Sequence, residues 1–368
     1  MKEVLHVTEE LSKKNYSISS LIFFLSDYVE KKIDIKHTIL TANFQKNVFI
    51  TNQKVKIIDL HLVKNFFSIN KKISEIIKNA DVIHIHGLWR LINFISIFYC
   101  NKNNKNFYIH PHGMLLDEAL KNKGFLNSIL KKILIFFYKL VFSKKVKFIS
   151  ITKKETLSIS NFFDKSNIQL IPNPIINPFS YGQINEHKIS KTFVFFGRIH
   201  PIKNLELMIN SFKLAKLNSE WKFHIYGIND DDRYLMKLKN LIIDNSNIEI
   251  KKPIFGNKKY EILYSSWANI LISKSEVLSL SVLEAASLEL PSLVSEQIEI
   301  DEFSNNDGIS VKLELEKISK KLIDISNWSL HERKIKGKNI KKFIEQNYSI
   351  DVIGKKYLEI YNSNYNDQ

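Results

Sequence analysis

Cysteine is nearly absent. The single thiol, Cys100, excludes an internal disulfide and fits a reducing cytoplasm. Glycine is scarce, at ten residues, and the abundance of Lys, Asn and Ile beside it points to AT-biased coding, which accounts for part of the lysine content. Long apolar runs are missing too. The run ILIFF at 133–137 is flanked by Lys131, Lys132 and Lys139, so it falls short of the ~20 apolar residues that a spanning helix needs. No signal peptide is read at the start, where a strand begins at once, with acids in the region at Glu3, Glu9 and Glu10. No RNA- or DNA-binding motif and no basic-aromatic platform is found, which argues against a nucleic-acid partner.

What is present describes a globular chain. Hydrophobic residues make up 44% and charged residues 25% of 368 residues, a length that suits two domains. The net charge of +16, from 54 basic and 38 acidic residues, favours an anionic partner such as an anionic lipid or a phosphorylated substrate.

Hydrophobic periodicity predicts alternating strands and helices in both halves, hence α/β domains with parallel sheets covered on both faces. In the first half, strands are expected at 3–8, 35–40, 55–60, 81–86, 106–110, 147–151 and 167–171. A helix is expected from Ser17 to about Lys32, capped by Ser17 or Ser19. Residues 121–149 carry eight lysines and no acid. They read either as an ordinary helix whose lysines reach solvent or as a basic amphipathic surface on anionic lipid, and both can hold at once. Three of the seven prolines fall at 172–178, which marks 173–190 as a linker. The expected organisation is a domain at 1–172, the linker at 173–190, a second doubly wound domain at 191–345 and a terminal helix at 346–368.

Two stretches of the second half carry chemistry. In SKSEVLSLSVLEAASLELPSLVS, at 273–295, Glu276 follows a buried strand and Glu284 lies eight positions on, in the helix behind it. Carboxylates at the strand-to-helix edge of a parallel sheet can accept hydrogen bonds from sugar hydroxyls. The plainer reading makes Glu276 a solvated loop residue and puts Glu284 on an exposed helix face. In FFGRIHPIKNLELMI, at 195–209, Gly197 lets the backbone turn, and Arg198 and Lys203 stand beside a helix start, an arrangement suited to a phosphate or diphosphate. The plainer reading is two exposed loop cations.

Three further clusters carry titratable side chains. His112-Gly113, in HPHGMLLDEAL at 110–120, presents an imidazole at a strand's carboxyl end. The pairs His84/His86 and His110/His112 invite a metal, but no carboxylate or thiolate completes a ligand set at either, so no metal is expected. Asp230-Asp231-Asp232 resembles a metal-carrying motif, yet stands just before a helix, where acids cap amides.

Taken in order, HVTEELSKK with ISS, DVIHIHGLW at 81–89, HPHGML, ITKKE, IQLIPNPI, GRIHPIKN, the Glu-x7-Glu spacing and the helical C-terminus resemble a retaining glycosyltransferase of family four (group 1), with the GT-B fold. The resemblance runs almost end to end. It implies two Rossmann-like domains facing each other across a cleft, and a UDP- or GDP-linked sugar donor used without a metal or other cofactor. It further implies that Glu284 binds the ribose, Glu276 the transferred sugar, Arg198 and Lys203 the diphosphate, and that His112 reaches the donor sugar. Gly197, Ser279, Leu280, Tyr16 and Ser17 complete the implied donor-binding set. The last helix, around Tyr348 to Tyr361, is expected to cross back to the first domain.

The activity implied is hexosyl transfer to a lipid-linked oligosaccharide in bacterial surface polysaccharide assembly (O-antigen, capsule or exopolysaccharide). The protein is then peripheral on the inner face of the cytoplasmic membrane, held through residues 121–149. The chain departs from the family at its glycines. Asn15 and Tyr16 replace a Gly-Gly pair, and Val277, Leu278 and Ser279 replace Gly-Phe-Gly, with Ser279 able to cap the helix. These departures keep open a second class, a non-catalytic GT-B-fold nucleotide-sugar-binding or scaffold subunit.

Overall fold

The computed structural model describes residues 2–12, 16–45, 54–63, 65–121, 125–142, 145–175, 188–298, 300 and 302–366. They form two compact units, Met1–Pro174 with Ile350–Gln368, and Ile175–Ser349. The first unit holds β1 (Lys2–Leu11), α1 (Tyr16–Glu30), β2 (Ile35–Phe44), β3 (Lys56–Asp59), α2 (Phe66–Asn79), β4 (Val82–His86) and α3 (Leu91–Lys102). It continues through β5 (Phe107–His110), α4 (Asp117–Lys121), α5 (Phe125–Val141), β6 (Val146–Ser150), α6 (Lys153–Ser160) and β7 (Ile168–Leu170). The second holds β8 (Thr192–Phe196), α7 (Leu205–Ala215), β9 (Lys222–Tyr226), α8 (Asp232–Ile242), β10 (Ile248–Lys251), α9 (Asn257–Ser265) and β11 (Ala268–Leu271). It ends with α10 (Leu280–Ser287), β12 (Ser292–Ser295), β13 (Ile309–Val311), α11 (Leu315–Ser326) and α12 (Leu330–Tyr348), after which α13 (Ile350–Asn366) rejoins the first unit.

Both sheets are wholly parallel. Their orders are β3-β2-β1-β4-β5-β6-β7 and β10-β9-β8-β11-β12-β13. The strand order reverses between β1 and β4 in one and between β8 and β11 in the other, and ligands bind beside such switch points at the carboxyl ends of the strands. The central strands read VIHIH, TFVFF and ANIL, and every residue in them is buried. Strands covered on both faces need such continuous β-branched and aromatic runs.

In the first unit, side-chain alternation divides the core. Leu5, Val7, Ile83, Ile85, Phe107, Ile109 and Phe148 pack against residues of α2, α3 and α5, including Ile73, Ile77, Ile92, Ile135 and Tyr138. On the other face, Val4, Val82, Tyr108 and Ile149 meet Leu25 and Val29 of α1 and Ile353, Tyr357, Ile360 and Tyr361 of α13. Gly354 permits this contact, since a Cβ there would lie 2.4 Å from the Tyr28 ring.

Several expected elements differ in extent. β1 runs through the polar stretch to Leu11, because nine residues of β1 pair in register with β2. α1 begins at Tyr16, so Ser17 and Ser19 lie inside the helix and neither is its N-cap. The lysine-rich stretch forms two helices, α4 and α5, and the second ends at Val141. Of the stretch read as a linker, residues 176–187 lie outside the described residues. At its near end, Ile175 bridges to Ser349, and its N–H donates to the Tyr348 carbonyl at 2.7 Å.

Candidate functional site

In the second unit, the loops after β8 and β11 are tied together by backbone. The Lys274 N–H donates to the Ile202 carbonyl at 2.8 Å. That bond brings Lys203, at the end of a 3₁₀ turn, against Glu276, and Lys203 Nζ forms an ion pair with Glu276 Oε1. Ser273 Oγ donates to the same oxygen at 3.0 Å, so the carboxylate is held from two sides. Asn204, left-handed at φ 57°, then redirects the chain into α7. Gly227 at the end of β9 faces Gly197, and a Cβ on it would stand 2.4 Å from the Gly197 carbonyl oxygen. The two strand ends can approach this closely only without a side chain.

Glu284 is 8% exposed on α10, not on a solvated face. Its Oε2 is ion-paired with Lys259 of α9, whose ammonium also sits 5.8 Å from the centre of the Phe196 ring. A carboxylate this deeply placed needs such a partner. Arg198, half exposed, reaches Asp230 Oδ2 at 3.3 Å. Asp231 caps α8 by accepting from the Tyr234 N–H at 3.1 Å, and Asp232 accepts from Asn229 Nδ2 at 2.5 Å. The three aspartates thus serve a helix terminus and a guanidinium. Ser279 occupies the N-cap position of α10 but makes no side-chain capping bond. Its hydroxyl pairs instead with Ser281 Oγ at 3.0 Å, while its carbonyl accepts from the Val282 and Leu283 N–H groups. Leu280 begins the helix.

In the first unit, His112 follows β5 with φ 49°, and Gly113 follows with φ 79°. Glu155, buried on α6, accepts from the Gly113 N–H at 2.5 Å and from the Ile151 N–H at 2.8 Å, which pins this strained turn. Burial pushes the Glu155 carboxyl up to about 7, against the pull of those two bonds. Burial also lowers His112 to about 4, so its imidazole is neutral at pH 7. Ser17 is exposed on α1. Lys14, Asn15 and the side chain of Tyr16 lie outside the described residues.

The histidine pairs read separately in the sequence belong to one cluster. β4 and β5 set His86 beside His110, and His86, His110 and His112 offer nitrogens within 4.8 Å of one another. Among the described residues His86 is thus a third nitrogen beside the His110/His112 pair, and no carboxylate or thiolate joins the group. Two of these rings, however, meet edge to edge, while His110 stacks over His86. His86 and His112 are tilted by only 14°, with centroids 5.3 Å apart and nitrogens at 3.0 Å, which suits a shared proton better than lone pairs converging on a cation.

Sequence reasoning missed Lys259, Asp230, Ser273 and Glu155 as partners of the chosen residues. Ser273, Asp230 and Glu155 stood in quoted motifs without that role, and Lys259 stood in none. On the surface, α5 exposes Leu130, Ile133, Phe136, Phe137 and Leu140 beside Lys132 and Lys139, while Ile135 and Tyr138 face the core. Phe94 and Phe98 of α3 extend this apolar surface, the Phe94 ring lying 6.2 Å from Tyr138. Among the described residues no helix is long and apolar enough to cross a membrane.

These two doubly wound units have the architecture of the GT-B glycosyltransferases, and residues 190–327, from just before β8 through α11, match the family described as glycosyl transferases group 1. Among solved structures, HepE of Anabaena, in complex with UDP and glucose, is similar with a TM-score of 0.77 and 11% identity, over 99% of this chain and 100% of that one. TarM of S. aureus, in complex with UDP, alpha-GlcNAc-glycerol and fondaparinux, gives 0.73 and 15%, over 98% and 100%. WaaG, a glycosyltransferase involved in lipopolysaccharide biosynthesis, gives 0.72 and 14%, over 97% and 99%. At these identities the likeness establishes the fold. No curated protein sequence gives a significant match.

Proposed function

We propose that the chain is a retaining glycosyltransferase that moves a sugar from a nucleotide-sugar donor to a lipid-linked glycan acceptor. One observation carries the reading: Lys203 and Glu276 are held together at the switch point of the second sheet, in the region that matches the group 1 family. Glycosyl transfer builds negative charge on the leaving diphosphate and positive charge on the sugar. Lys203 and Arg198 stabilise the first, so the reading requires no metal. Glu276 accepts from hydroxyls of the transferred sugar and Glu284 from the ribose, both as charged acceptors. His112 hydrogen-bonds a sugar hydroxyl as a neutral imidazole. UDP is the favoured nucleotide, since HepE and TarM were both solved with it.

The acceptor side rests on the surface of α5. Exposed Phe136, Phe137 and Leu140 beside lysines form the kind of face that lies on an anionic bilayer. A lipid-linked acceptor in surface polysaccharide assembly is presented at such a bilayer, and on this reading the protein acts at the cytoplasmic membrane surface.

The test is a thermal-shift screen with UDP-, GDP- and ADP-sugars, followed by donor turnover. A bound donor raises the melting temperature with the logarithm of its concentration over Kd. Turnover with retained anomeric configuration is expected. Binding without turnover supports instead the non-catalytic binding subunit, and no binding to any of them removes the proposal.

A further inference from the structure

The histidines on the α13-covered face of the first sheet form a directed row. In parallel register, His37 lies opposite Val4, His6 opposite His84, and His86 opposite His110. A diagonal that moves one strand across and two residues along therefore passes through His37, His6, His86 and His112. Two steps are hydrogen-bonded: His6 Nδ1 to His86 Nε2 at 3.1 Å, and His86 Nδ1 to His112 Nε2 at 3.0 Å. Both pairs are nearly coplanar, with ring centroids 5.4 and 5.3 Å apart. The third step, His6 to His37, has the same ring spacing, 5.5 Å at 20°. The nitrogens left without a partner there are His6 Nε2 and His37 Nε2.

The far end of the row is anchored. Glu30 Oε1 accepts from the His37 backbone N–H and stands 3.1 Å from His37 Nδ1. A carboxylate oxygen only accepts, so the proton of neutral His37 is on Nδ1 and its Nε2 is a lone pair. A neutral imidazole carries one proton, so the direction of one bond fixes the next. With His6 protonated at Nε2, its N–H and the His37 lone pair are complementary across the 5.5 Å ring spacing, although no hydrogen bond closes that step. His6 Nδ1 then accepts from His86 Nε2–H, and His86 Nδ1 accepts from His112 Nε2–H. The opposite direction leaves a lone pair on each of the two unpartnered nitrogens of the His6–His37 step. The rings are kept neutral by burial, which lowers His6 and His86 well below the ordinary histidine value and lowers His37 as well.

We infer that Glu30, His37, His6 and His86 are positioning residues that lock His112 in its Nε2–H tautomer, so that His112 Nδ1 meets the ligand as a hydrogen-bond acceptor. His112 is the ring of this row that is only partly buried, and so the one a ligand reaches. Its partner in recognition is a hydroxyl that donates, as a sugar O–H does. The ligand's identity rests on the glycosyltransferase reading, whereas the tautomers do not. A second pair, His84 Nδ1 to His110 Nε2 at 2.9 Å, stacks on the row, His110 over His86 with centroids 4.5 Å apart. It holds the rings in plane.

Long-range proton–nitrogen spectra of the full chain labelled with ¹⁵N-histidine test this directly. His112, His86 and His6 are expected as Nε2–H tautomers and His37 as Nδ1–H. Finding His112 as Nδ1–H, or as a fast-exchanging mixture, overturns the inference. So does stoichiometric Zn²⁺ binding that abolishes the His86 and His112 signals, since the cluster is then a metal centre. His86→Phe cuts the row while keeping a ring over His110. It is expected to convert His112 to a tautomer mixture and to weaken binding of a UDP-sugar about tenfold while leaving UDP binding unchanged; an unaltered His112 tautomer overturns the inference. The wild-type spectra carry the test if that variant fails to fold. Correct tautomers in a protein that binds no nucleotide sugar retain the row and discard the glycosyltransferase reading.

Discussion

Lys259 on α9 and Glu284 on α10 form an ion pair in which both side chains are largely buried. The ammonium engages one carboxylate oxygen, Oε2, and under the proposed reading the carboxylate also accepts from a ribose hydroxyl. Glu284→Gln removes the charge and is expected to weaken nucleotide binding about tenfold to a hundredfold, as loss of a charge-assisted bond does. Lys259→Met leaves a buried carboxylate without its partner. It is expected to lower both nucleotide affinity and melting temperature. Calorimetric titration with the nucleoside diphosphate and a thermal melt check both, and unchanged affinity in Glu284→Gln removes that residue from the site.

Lys203 and Glu276 stand in the same relation, yet the predicted outcome differs. Under the proposed reading each side chain is held in place by the other, so Lys203→Met and Glu276→Gln should each reduce turnover about a hundredfold or more. The double variant should lose little beyond the worse single one, because either loss frees the other side chain from its pair. Initial rates with a saturating donor measure this. Additive losses indicate that the two side chains act separately.

The α5 surface has a separate readout. Phe136 and Leu140 are 59% and 67% exposed, so replacing both with Ser changes folding stability by less than about 0.5 kcal/mol. Each apolar side chain buried in a bilayer is worth about 1.5–3 kcal/mol. Co-sedimentation with phosphatidylglycerol vesicles should therefore fall by at least tenfold, and undiminished sedimentation rules out this face as the contact.

The fold was legible because its strands are periodic and fully buried. TFVFF at β8 and ANIL at β11 have no other reading beside Gly197 and the polar loop that follows Ile272. The positions of Arg198, Lys203, Glu276 and Glu284 followed from strand ends. Their partners did not. Lys259 is one of many lysines in an AT-biased chain, and nothing in its spacing announces a face-to-face meeting of α9 and α10. Thr152 to Glu155 reads as a capping box, which gives no sign that the Glu155 carboxylate accepts from the Gly113 turn and from Ile151 after β6. The histidine row needs the register of four strands at once, which no local pattern contains. Ser17 and Ser19 misled because serine marks helix starts in general, whereas here α1 opens one residue earlier.

Acid should unfold the first unit readily. His6, His84, His86 and His110 are lowered well below the ordinary value by burial, so the unfolded chain takes up protons that the folded one refuses. With the unfolded value near 6.5, stability is full above that pH and falls as pH drops below it. The limiting slope is about 1.4 kcal/mol per pH unit for each histidine. Urea unfolding between pH 7.5 and 5 measures this. His84→Phe, which keeps a ring in the stack, should reduce the slope, and an unchanged slope denies that His84 is neutral in the fold.

Glu155 works in the opposite sense. Its folded value, raised to about 7 from an ordinary 4.5, means that the folded chain binds the proton more tightly. Its contribution to stability is fully present below pH 4.5 and is lost as pH rises through about 7. Glu155→Gln cannot ionise and removes that dependence, so the variant should gain stability relative to the wild type as pH rises from 6 to 8. It keeps one carbonyl oxygen for the Gly113 or the Ile151 N–H and turns an amide N–H₂ toward the other. The turn that carries His112 should therefore loosen. Amide exchange at Gly113 is the sensitive measure: faster exchange in the variant at pH 8, together with a higher unfolding midpoint, separates the local role of Glu155 from its effect on global stability. An unchanged Gly113 rate means that the turn is held by its backbone alone.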